Sequence, residues 1–194
     1  MIRLLDQSFV LLSINGDMRL VVDLFQSGYW IFEMIIISHR GNLDGPDPSR
    51  ENNPDYIDEA IAQGFDVEVD VRLIDYKFYL GHDEPQYPVP IFWLFKRKDN
   101  LWIHCKDLKS LNNLSSNPVD FNYFWHDTDK YTLTSKGIGW VLVGEKPFEN
   151  SIVVLPELMK CYDTVEEKYA IIKNTKGICT DKPLFYQKEL GVNK

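Results

Sequence analysis

The chain has 194 residues and a formal net charge of −8, and 44% of its residues are hydrophobic. This length and composition fit a globular chain with a sizeable core and exclude a disordered one. The acidic balance offers no broad basic patch, so we expect no nucleic-acid partner; the one compact basic cluster, residues 96–98, is predicted to be a solvated loop.

Three cysteines, Cys105, Cys161 and Cys179, are scattered without the spacing of a zinc site or a disulfide framework. Their sparse, odd number predicts a reducing compartment. No apolar run reaches the roughly 18 residues that a membrane span needs, and the N-terminus lacks a signal-peptide pattern. We therefore predict a cytoplasmic protein without stable membrane insertion. The sequence does not define an oligomeric state.

The first 33 residues contain two apolar stretches on either side of a turn signal. Phe9 to Ile14 and Leu20 to Phe25 flank Asn15-Gly16-Asp17, a pattern that predicts a hairpin. Alternatively, the segment is a loosely attached extension, because Met34 stands directly before the first strand that ends in polar residues. We divide the chain into an N-terminal extension, residues 1–33, and a barrel domain, residues 34–194.

The β-branched run from Ile35 to Ser38 predicts a buried strand of a parallel sheet, and His39-Arg40 follows where that strand ends. In α/β sheets and barrels, the carboxyl ends of the strands are where sites form. After a polar loop, Pro54 begins a predicted helix with Asn53 as its cap and a stop near residue 64.

Residues 65–72 alternate strictly between apolar and charged side chains, which predicts a strand. Glu68 and Asp70 share the charged face. The commoner interpretation of such a pattern is a solvated face. However, a strand-helix-strand unit covers the apolar face with its helix, so the charged face is expected to line a barrel mouth. Two neighbouring carboxylates repel each other unless a cation lies between them, and oxygen ligands suit Mg²⁺ or Ca²⁺.

Later strands repeat the pattern of an apolar run that ends in polar residues. A strand from Lys77 ends at His82, and the strand over residues 101–106 places His104 and Lys106 on one face with Trp102. Further strands end at His126-Asp127, Pro156-Glu157 and Thr180-Asp181. This recurrence is typical of a (β/α) barrel with its site at the carboxyl face.

Four motifs, taken in order, resemble the glycerophosphodiester phosphodiesterase family. They are His39-Arg40-Gly41, Glu51-Asn52, Glu68-x-Asp70 and His82-Asp83. That family belongs to the phospholipase C-like phosphodiesterases with TIM-barrel folds. Gly177 to Asp181 also looks like the family's final Gly-x-x-Thr-Asp strand, so the resemblance covers about residues 34–183.

The resemblance implies a role for each matched position. It implies that His39 and His82 are the general acid/base pair. It implies that Arg40 and Lys106 bind the phosphate, and that Glu68 and Asp70 are metal ligands. The implied substrate is a small phosphodiester. Either a neighbouring hydroxyl of the substrate or water would attack the phosphorus.

The chain departs from the family at the third metal ligand, where His104 replaces a glutamate. Imidazole suits Mn²⁺ or Zn²⁺ better than Ca²⁺. The sequence therefore predicts a divalent metal, Mg²⁺ or Ca²⁺ first, with Mn²⁺ or Zn²⁺ as alternatives. Either His104 completes the ligand set, or Glu51 or Glu157 replaces it, or the metal is held weakly.

The chain is also short, because about 160 residues follow Met34, fewer than the roughly 200 of a full barrel. We predict an α/β fold: a reduced or irregular (β/α)8 TIM-type barrel with shortened or missing helices in its second half. The expected function is metal-dependent hydrolysis of glycerophosphodiesters or related lipid-derived phosphodiesters. The alternatives are a catalytically weak barrel that binds phosphorylated ligands, and a lyase that releases a cyclic phosphate.

Overall fold

The computed structural model describes residues 9–14, 17–22, 34–159 and 164–192, in two units that divide after residue 32. In the first unit, β1 (Phe9–Ile14) pairs antiparallel with β2 (Asp17–Val22), and Ile14 lies opposite Asp17. They overlap the two predicted hairpin strands, but the second strand begins at Asp17, which the sequence assigned to the turn. The turn residues 15–16 and the predicted end of the second strand, residues 23–25, lie outside the described residues.

The second unit is a curved sheet of mostly parallel strands, with helices on its outer side. Its strands are β3 (Ile35–His39), β4 (Asp66–Ile74), β5 (Lys77–Leu80), β6 (Tyr87–Val89), β7 (Leu101–Cys105), β8 (Tyr123–Trp125), β9 (Tyr131–Leu133), β10 (Gly139–Val141), β11 (Ser151–Val154) and β12 (Gly177–Thr180). Its α-helices are α1 (Pro54–Ala62), α2 (Ile91–Lys96), α3 (Leu108–Ser115), α4 (Val165–Lys173) and α5 (Pro183–Leu190).

Seven strands run parallel in the order β8-β7-β4-β3-β12-β11-β10, so their carboxyl ends share one edge. β9 pairs antiparallel with β10, and β5 and β6 extend antiparallel from the carboxyl half of β4. Among the described strands, the backbone ladder does not close between β8 and β10. The rings of Phe124 and Trp140 face each other there, with centroids 4.4 Å apart. The second unit is thus an irregular half-barrel.

The helix α1 shows how the local sequence sets this architecture. Asn53 caps it by accepting a hydrogen bond from the Asp55 N–H at 2.9 Å, and Pro54 occupies the first turn. The helix buries Tyr56 and Ile57 against the sheet. The predicted boundaries of this helix are confirmed. In the same way, Asp107 and Thr164 cap α3 and α4.

The alternation of β4 separates two environments. Val67, Val69 and Val71 are fully buried in the outer core beneath the helices. The opposite face carries Glu68 and Asp70 towards the inside of the half-barrel, as predicted. A second apolar layer fills that interior and is formed by Ile37, Trp102, Phe124, Trp140, Ile152 and Cys179.

Three elements were not predicted from the sequence: β6, β9 and α5. The two strands have three residues each, which is too short for alternation to be visible, and β6 contains Pro88. The predicted scarcity of helices in the second half is confirmed, because residues 117–159 contain only a 3-10 turn at Pro156–Leu158.

No helix in the described ranges is long and apolar enough to cross a membrane.

Candidate active site

The carboxyl edge of the sheet brings together side chains from β3, β4 and β7. The register of parallel pairing places His39 beside Glu68, and Asp70 beside His104. Glu68, Asp70 and His104 alternate with buried apolar residues along their strands. His39 lies two residues after Ile37 of the interior layer, so all four side chains point to the inside of the half-barrel. The strand order therefore builds a polar cluster above the apolar interior layer.

The two carboxylates of β4 are almost completely withdrawn from solvent. The side chains of Glu68 and Asp70 are 2% and 0% exposed. Within the described residues, Glu68 Oε2 is buried and accepts no hydrogen bond, whereas the cations that face Asp70 Oδ1 are His104 and Lys106, 3.2 and 3.8 Å away. A buried carboxylate oxygen without a hydrogen bond is costly, so Glu68 Oε2 is suited to bind a cation.

His104 lies against both carboxylates. Its Nδ1 is 3.2 Å from Asp70 Oδ1 and 3.6 Å from Glu68 Oε1. Burial alone would lower the pKa of His104, but the interactions with Asp70 and Glu68 outweigh it and raise the pKa to about 9. The imidazole is therefore protonated at neutral pH when no cation is bound.

The other nitrogen of the same ring is fixed by the backbone. His104 Nε2 donates a hydrogen bond to the carbonyl oxygen of His126 at 2.8 Å, since a carbonyl can only accept. Loss of the second proton would leave the Nδ1 lone pair facing the carboxylates, which is the usual arrangement of a histidine that binds a metal. One ligand atom from each of Glu68, Asp70 and His104 lies within 4.8 Å of the others.

His39 belongs to a second polar pair beside this cluster. Its Nδ1 lies 2.7 Å from Asp181 Oδ1, and its Nε2 lies 3.9 Å from Glu68 Oε2. Burial alone would lower the pKa of His39, but the hydrogen bond with Asp181 and the charge of Glu68 raise it above the ordinary value. Asn42 donates to Asp181 at 2.8 Å and fixes that carboxylate.

The loop after β3 positions a cation and an amide. Arg40 donates from Nη1 to Glu51 at 2.9 Å, and its Nε lies 3.1 Å from Asp70 Oδ2. Asn52 donates to Asp70 Oδ2 and accepts from the Asp70 N–H, both at 2.9 Å. Arg40 and Asn52 have φ of 54° and 62°, a conformation that costs energy for residues other than glycine and often occurs at functional sites.

Lys106, at the end of β7, adds another cation, with Nζ 3.8 Å from Asp70 Oδ1. The two alternative ligands have other contacts: Glu51 accepts from Arg40 and Asn42, and Glu157 accepts from Thr180 Oγ1. Glu157 also accepts from the backbone N–H of Asp181 at 2.9 Å. Of the three candidates for the third ligand, His104 is the one that faces both carboxylates of β4.

His82 is not drawn into this cluster. It lies on the loop after β5 with a side chain 38% exposed, and its Nδ1 is 2.6 Å from Asp83 Oδ1. The loop itself is attached to the site, because the Gly81 N–H donates to the Asp70 carbonyl at 3.1 Å. Arg72 Nη2 donates to the His82 carbonyl at 2.6 Å. Among the described contacts, none joins the His82 imidazole to another predicted site residue.

We expect Gly81→Ala to lower the free energy of unfolding by about 2 kcal/mol or more. Gly81 has φ of +145°, and an added Cβ would lie 2.1 Å from the Glu84 carbonyl oxygen. Gly45→Ala is the matched control, since Gly45 has φ of +131° and nothing within 4 Å. Urea denaturation of both variants would measure the difference, and equal losses would contradict a role for the steric overlap.

Several residues of the site received no role from the sequence. They are Asn42, Asn52 and Asp181. The signal was present for Asp181, because it follows a predicted strand of the same sheet. Its partner could not be read from the chain, since 142 positions separate it from His39.

Comparison with known proteins gives structural likeness without sequence matches. No protein-family model and no curated protein matches the chain. A structure assigned as a glycerophosphodiester phosphodiesterase from Galdieria sulphuraria is similar, with 11% identity and a TM-score of 0.46, over 81% of this chain and 98% of that one. A glycerophosphodiester phosphodiesterase from Parabacteroides distasonis is similar with 15% identity and a TM-score of 0.47, over 82% and 97%.

Proposed function

We propose that this protein is a metal-dependent phosphodiester hydrolase that acts on glycerophosphodiesters or related small lipid-derived phosphodiesters. The observation that supports this function most is the convergence of the buried Glu68 and Asp70 carboxylates with His104, beside the His39–Asp181 pair. All of these residues lie within residues 34–194, which we propose as the catalytic domain, with residues 1–33 as an extension.

Glu68, Asp70 and His104 would hold the divalent cation, since one donor atom from each lies within 4.8 Å of the others and Glu68 Oε2 accepts no hydrogen bond among the described residues. Bound there, the cation would offset the negative charge of the phosphodiester. Two carboxylates favour hard cations such as Mg²⁺ or Ca²⁺, whereas the imidazole favours Mn²⁺ or Zn²⁺. We propose that the mixed set moves the preference towards Mn²⁺.

His39 would carry the proton of the attacking group. Asp181 accepts the Nδ1–H of His39 and thereby fixes the ring with Nε2 towards the inside of the site. A neutral His39 can accept a proton at Nε2 from water or from a neighbouring hydroxyl of the substrate. An imidazole held by a carboxylate on its other nitrogen keeps this orientation throughout the reaction.

Three further side chains complete the proposed chemistry. Arg40 has five N–H donors, so its contacts with Glu51 and Asp70 leave donors for phosphate oxygens. Lys106 adds positive charge on the same side of Asp70 as His104. His82, on the exposed loop beside the mouth, would protonate the leaving alkoxide.

The test is an assay of glycerophosphocholine and of a chromogenic phosphodiester with added Mg²⁺, Ca²⁺, Mn²⁺ or Zn²⁺, and with EDTA. We expect turnover that EDTA abolishes and that a divalent cation restores. Phosphorus NMR of the products would show a cyclic phosphate if the neighbouring hydroxyl attacks. Absence of turnover with every cation would overturn the proposal.

A second candidate function is a barrel that binds phosphorylated ligands with little catalysis. The protonated His104 favours this binding function, because its imidazolium already lies against the two carboxylates that would bind a metal cation. Calorimetry with glycerol phosphate in EDTA separates the two functions. Tight binding in EDTA that His39→Ala leaves unchanged, together with no turnover, would support the binding protein.

We expect His104→Asp to increase the preference of the site for Mg²⁺ over Mn²⁺ by about tenfold, because a carboxylate oxygen replaces an imidazole nitrogen. Calorimetric titration with each cation gives the ratio of the two dissociation constants. His126→Gln is a control, because His126 contacts the site through its backbone carbonyl. An unchanged ratio in His104→Asp would exclude His104 as a ligand.

A further inference from the structure

An exposed apolar surface lies at the same end of the half-barrel as the candidate site. β4 continues past Asp70 to Ile74 and turns through Asp75 and Tyr76 into β5. β6 then returns along β5, and α2 follows directly after Pro90. Because β4 runs in the direction of the carboxyl edge, its hairpin tip projects beyond the cluster at Glu68 and Asp70. We call the hairpin tip, residues 74–77, together with α2 the rim patch.

The rim patch exposes large apolar side chains that ordinarily avoid water. Tyr76 is 98% exposed at the tip of the hairpin, and Phe92 is 56% exposed on α2. Ile74, Ile91 and Phe95 are exposed as well. The rings of Phe92 and Phe95 stack with centroids 6.0 Å apart. A cavity of about 470 Å³ connects the two parts and is lined mostly by apolar side chains, among them Leu73, Phe78, Val89 and Ile91.

Lysines surround these apolar groups although the whole chain is acidic. Lys77 follows Tyr76 and lines the cavity. Lys96 lies with Nζ 4.8 Å above the Phe92 ring, so its aliphatic stem runs along the apolar surface while its charge stays at the edge. Lys109 is exposed at the start of α3, whose cap Asp107 accepts from the Leu73 N–H at 2.9 Å. Asp75 and Asp107 offset two of the three lysines, so one positive charge remains.

We propose that the rim patch docks the protein on an anionic lipid surface. Aromatic side chains prefer the boundary between hydrocarbon and headgroups, and lysines beside them attract anionic headgroups. Docking through the rim patch would turn the carboxyl edge of the sheet, and with it the candidate site, towards the lipid. The benefit for catalysis rests on the proposed function, whereas lipid binding itself does not.

The test is co-sedimentation of the full chain with vesicles of phosphatidylcholine, with and without phosphatidylserine. We expect the unchanged protein to pellet with the phosphatidylserine vesicles. The combined variant Tyr76→Ser, Phe92→Ser and Phe95→Ser should lose at least about tenfold in partition coefficient, since its three rings no longer leave water. Lys77→Gln with Lys96→Gln should weaken binding to the anionic vesicles only.

The matched control is Leu133→Ser, because Leu133 is 63% exposed on β9, at the other end of the strand order from β6. It should bind vesicles like the unchanged protein. Failure of the unchanged protein to pellet, or equal binding by the ring variant, would overturn the proposal. Self-association of the chain through the rim patch would also overturn the proposal. It would appear as a dimer of the unchanged protein and a monomer of the ring variant.

An assay of soluble glycerophosphocholine hydrolysis tests the proposed function independently of lipid docking. The ring variant should hydrolyse that substrate at the rate of the unchanged protein, because none of its three changes lies in the candidate site. If neither protein hydrolyses it while vesicle binding still depends on the rim patch, the proposed function fails and the docking surface stands.

Discussion

Asp70→Asn will lower kcat/KM for a phosphodiester substrate at least about a hundredfold, because replacing even an outer partner of a metal ligand costs tenfold to a hundredfold. Asp70 is fully buried and touches Asn52, Arg40, His104 and Lys106. The amide is nearly isosteric, so packing is kept while the charge that holds the cation is removed. Calorimetric titration with Mn²⁺ should show the loss of cation affinity directly.

Asp55→Asn is the matched control, since Asp55 is exposed in the first turn of α1. It should leave both cation affinity and kcat/KM unchanged. Circular dichroism must first show that the Asp70→Asn variant is folded. If that variant does not fold, Glu68→Gln provides the same test of the cation site. Full activity in a folded Asp70→Asn protein would exclude the carboxylate cluster as the cation site.

The second large effect concerns His39 and its partner. His39→Ala should lower kcat by about 10²- to 10⁴-fold, the range for removing a general acid or base. Asp181→Asn should cost less, because the imidazole remains while its orientation weakens. The Asp181 hydrogen bond helps to hold the pKa of His39 above its ordinary value. Its loss lowers that pKa, so the limb of the pH–rate profile that reports His39 should move to lower pH.

Asp83→Asn provides the control for this shift, because Asp83 is the carboxylate partner of His82. It should leave the limb that reports His39 in place. A merely structural role for Asp181 would lower the rate equally at every pH. A limb that stays in place in Asp181→Asn, or moves to higher pH, would therefore contradict the proposed pair.

Local patterns predicted the parts of the site that single strands determine. The alternation over residues 65–72 places Glu68 and Asp70 on one inner face, and the structure shows both there, buried. The cap at Asn53 could be predicted because a cap depends only on the turn that follows it. The irregular, helix-poor second half followed from length and from the absence of helical periodicity.

Contacts between distant segments could not be predicted in the same way. The bond between Asn52 and Asp70 spans 18 positions, and that between His39 and Asp181 spans 142. Both depend on which strands become neighbours. The sequence motif also grouped His82 with His39, whereas the structure leaves the His82 ring on an exposed loop. The end of a strand determines where the following loop begins, but it does not determine the direction of a side chain within that loop.

The burial of the Glu68 and Asp70 carboxylates has a thermodynamic consequence. They lie inside the half-barrel, so a cation that binds there binds only the folded chain and shifts the folding equilibrium. At a free concentration one hundred times its dissociation constant, such an ion adds about 2.7 kcal/mol to the free energy of unfolding. That amount is a large share of the 5–15 kcal/mol typical of a domain. The cation concentration would thus set the thermodynamic stability of the folded protein as well as its catalytic activity.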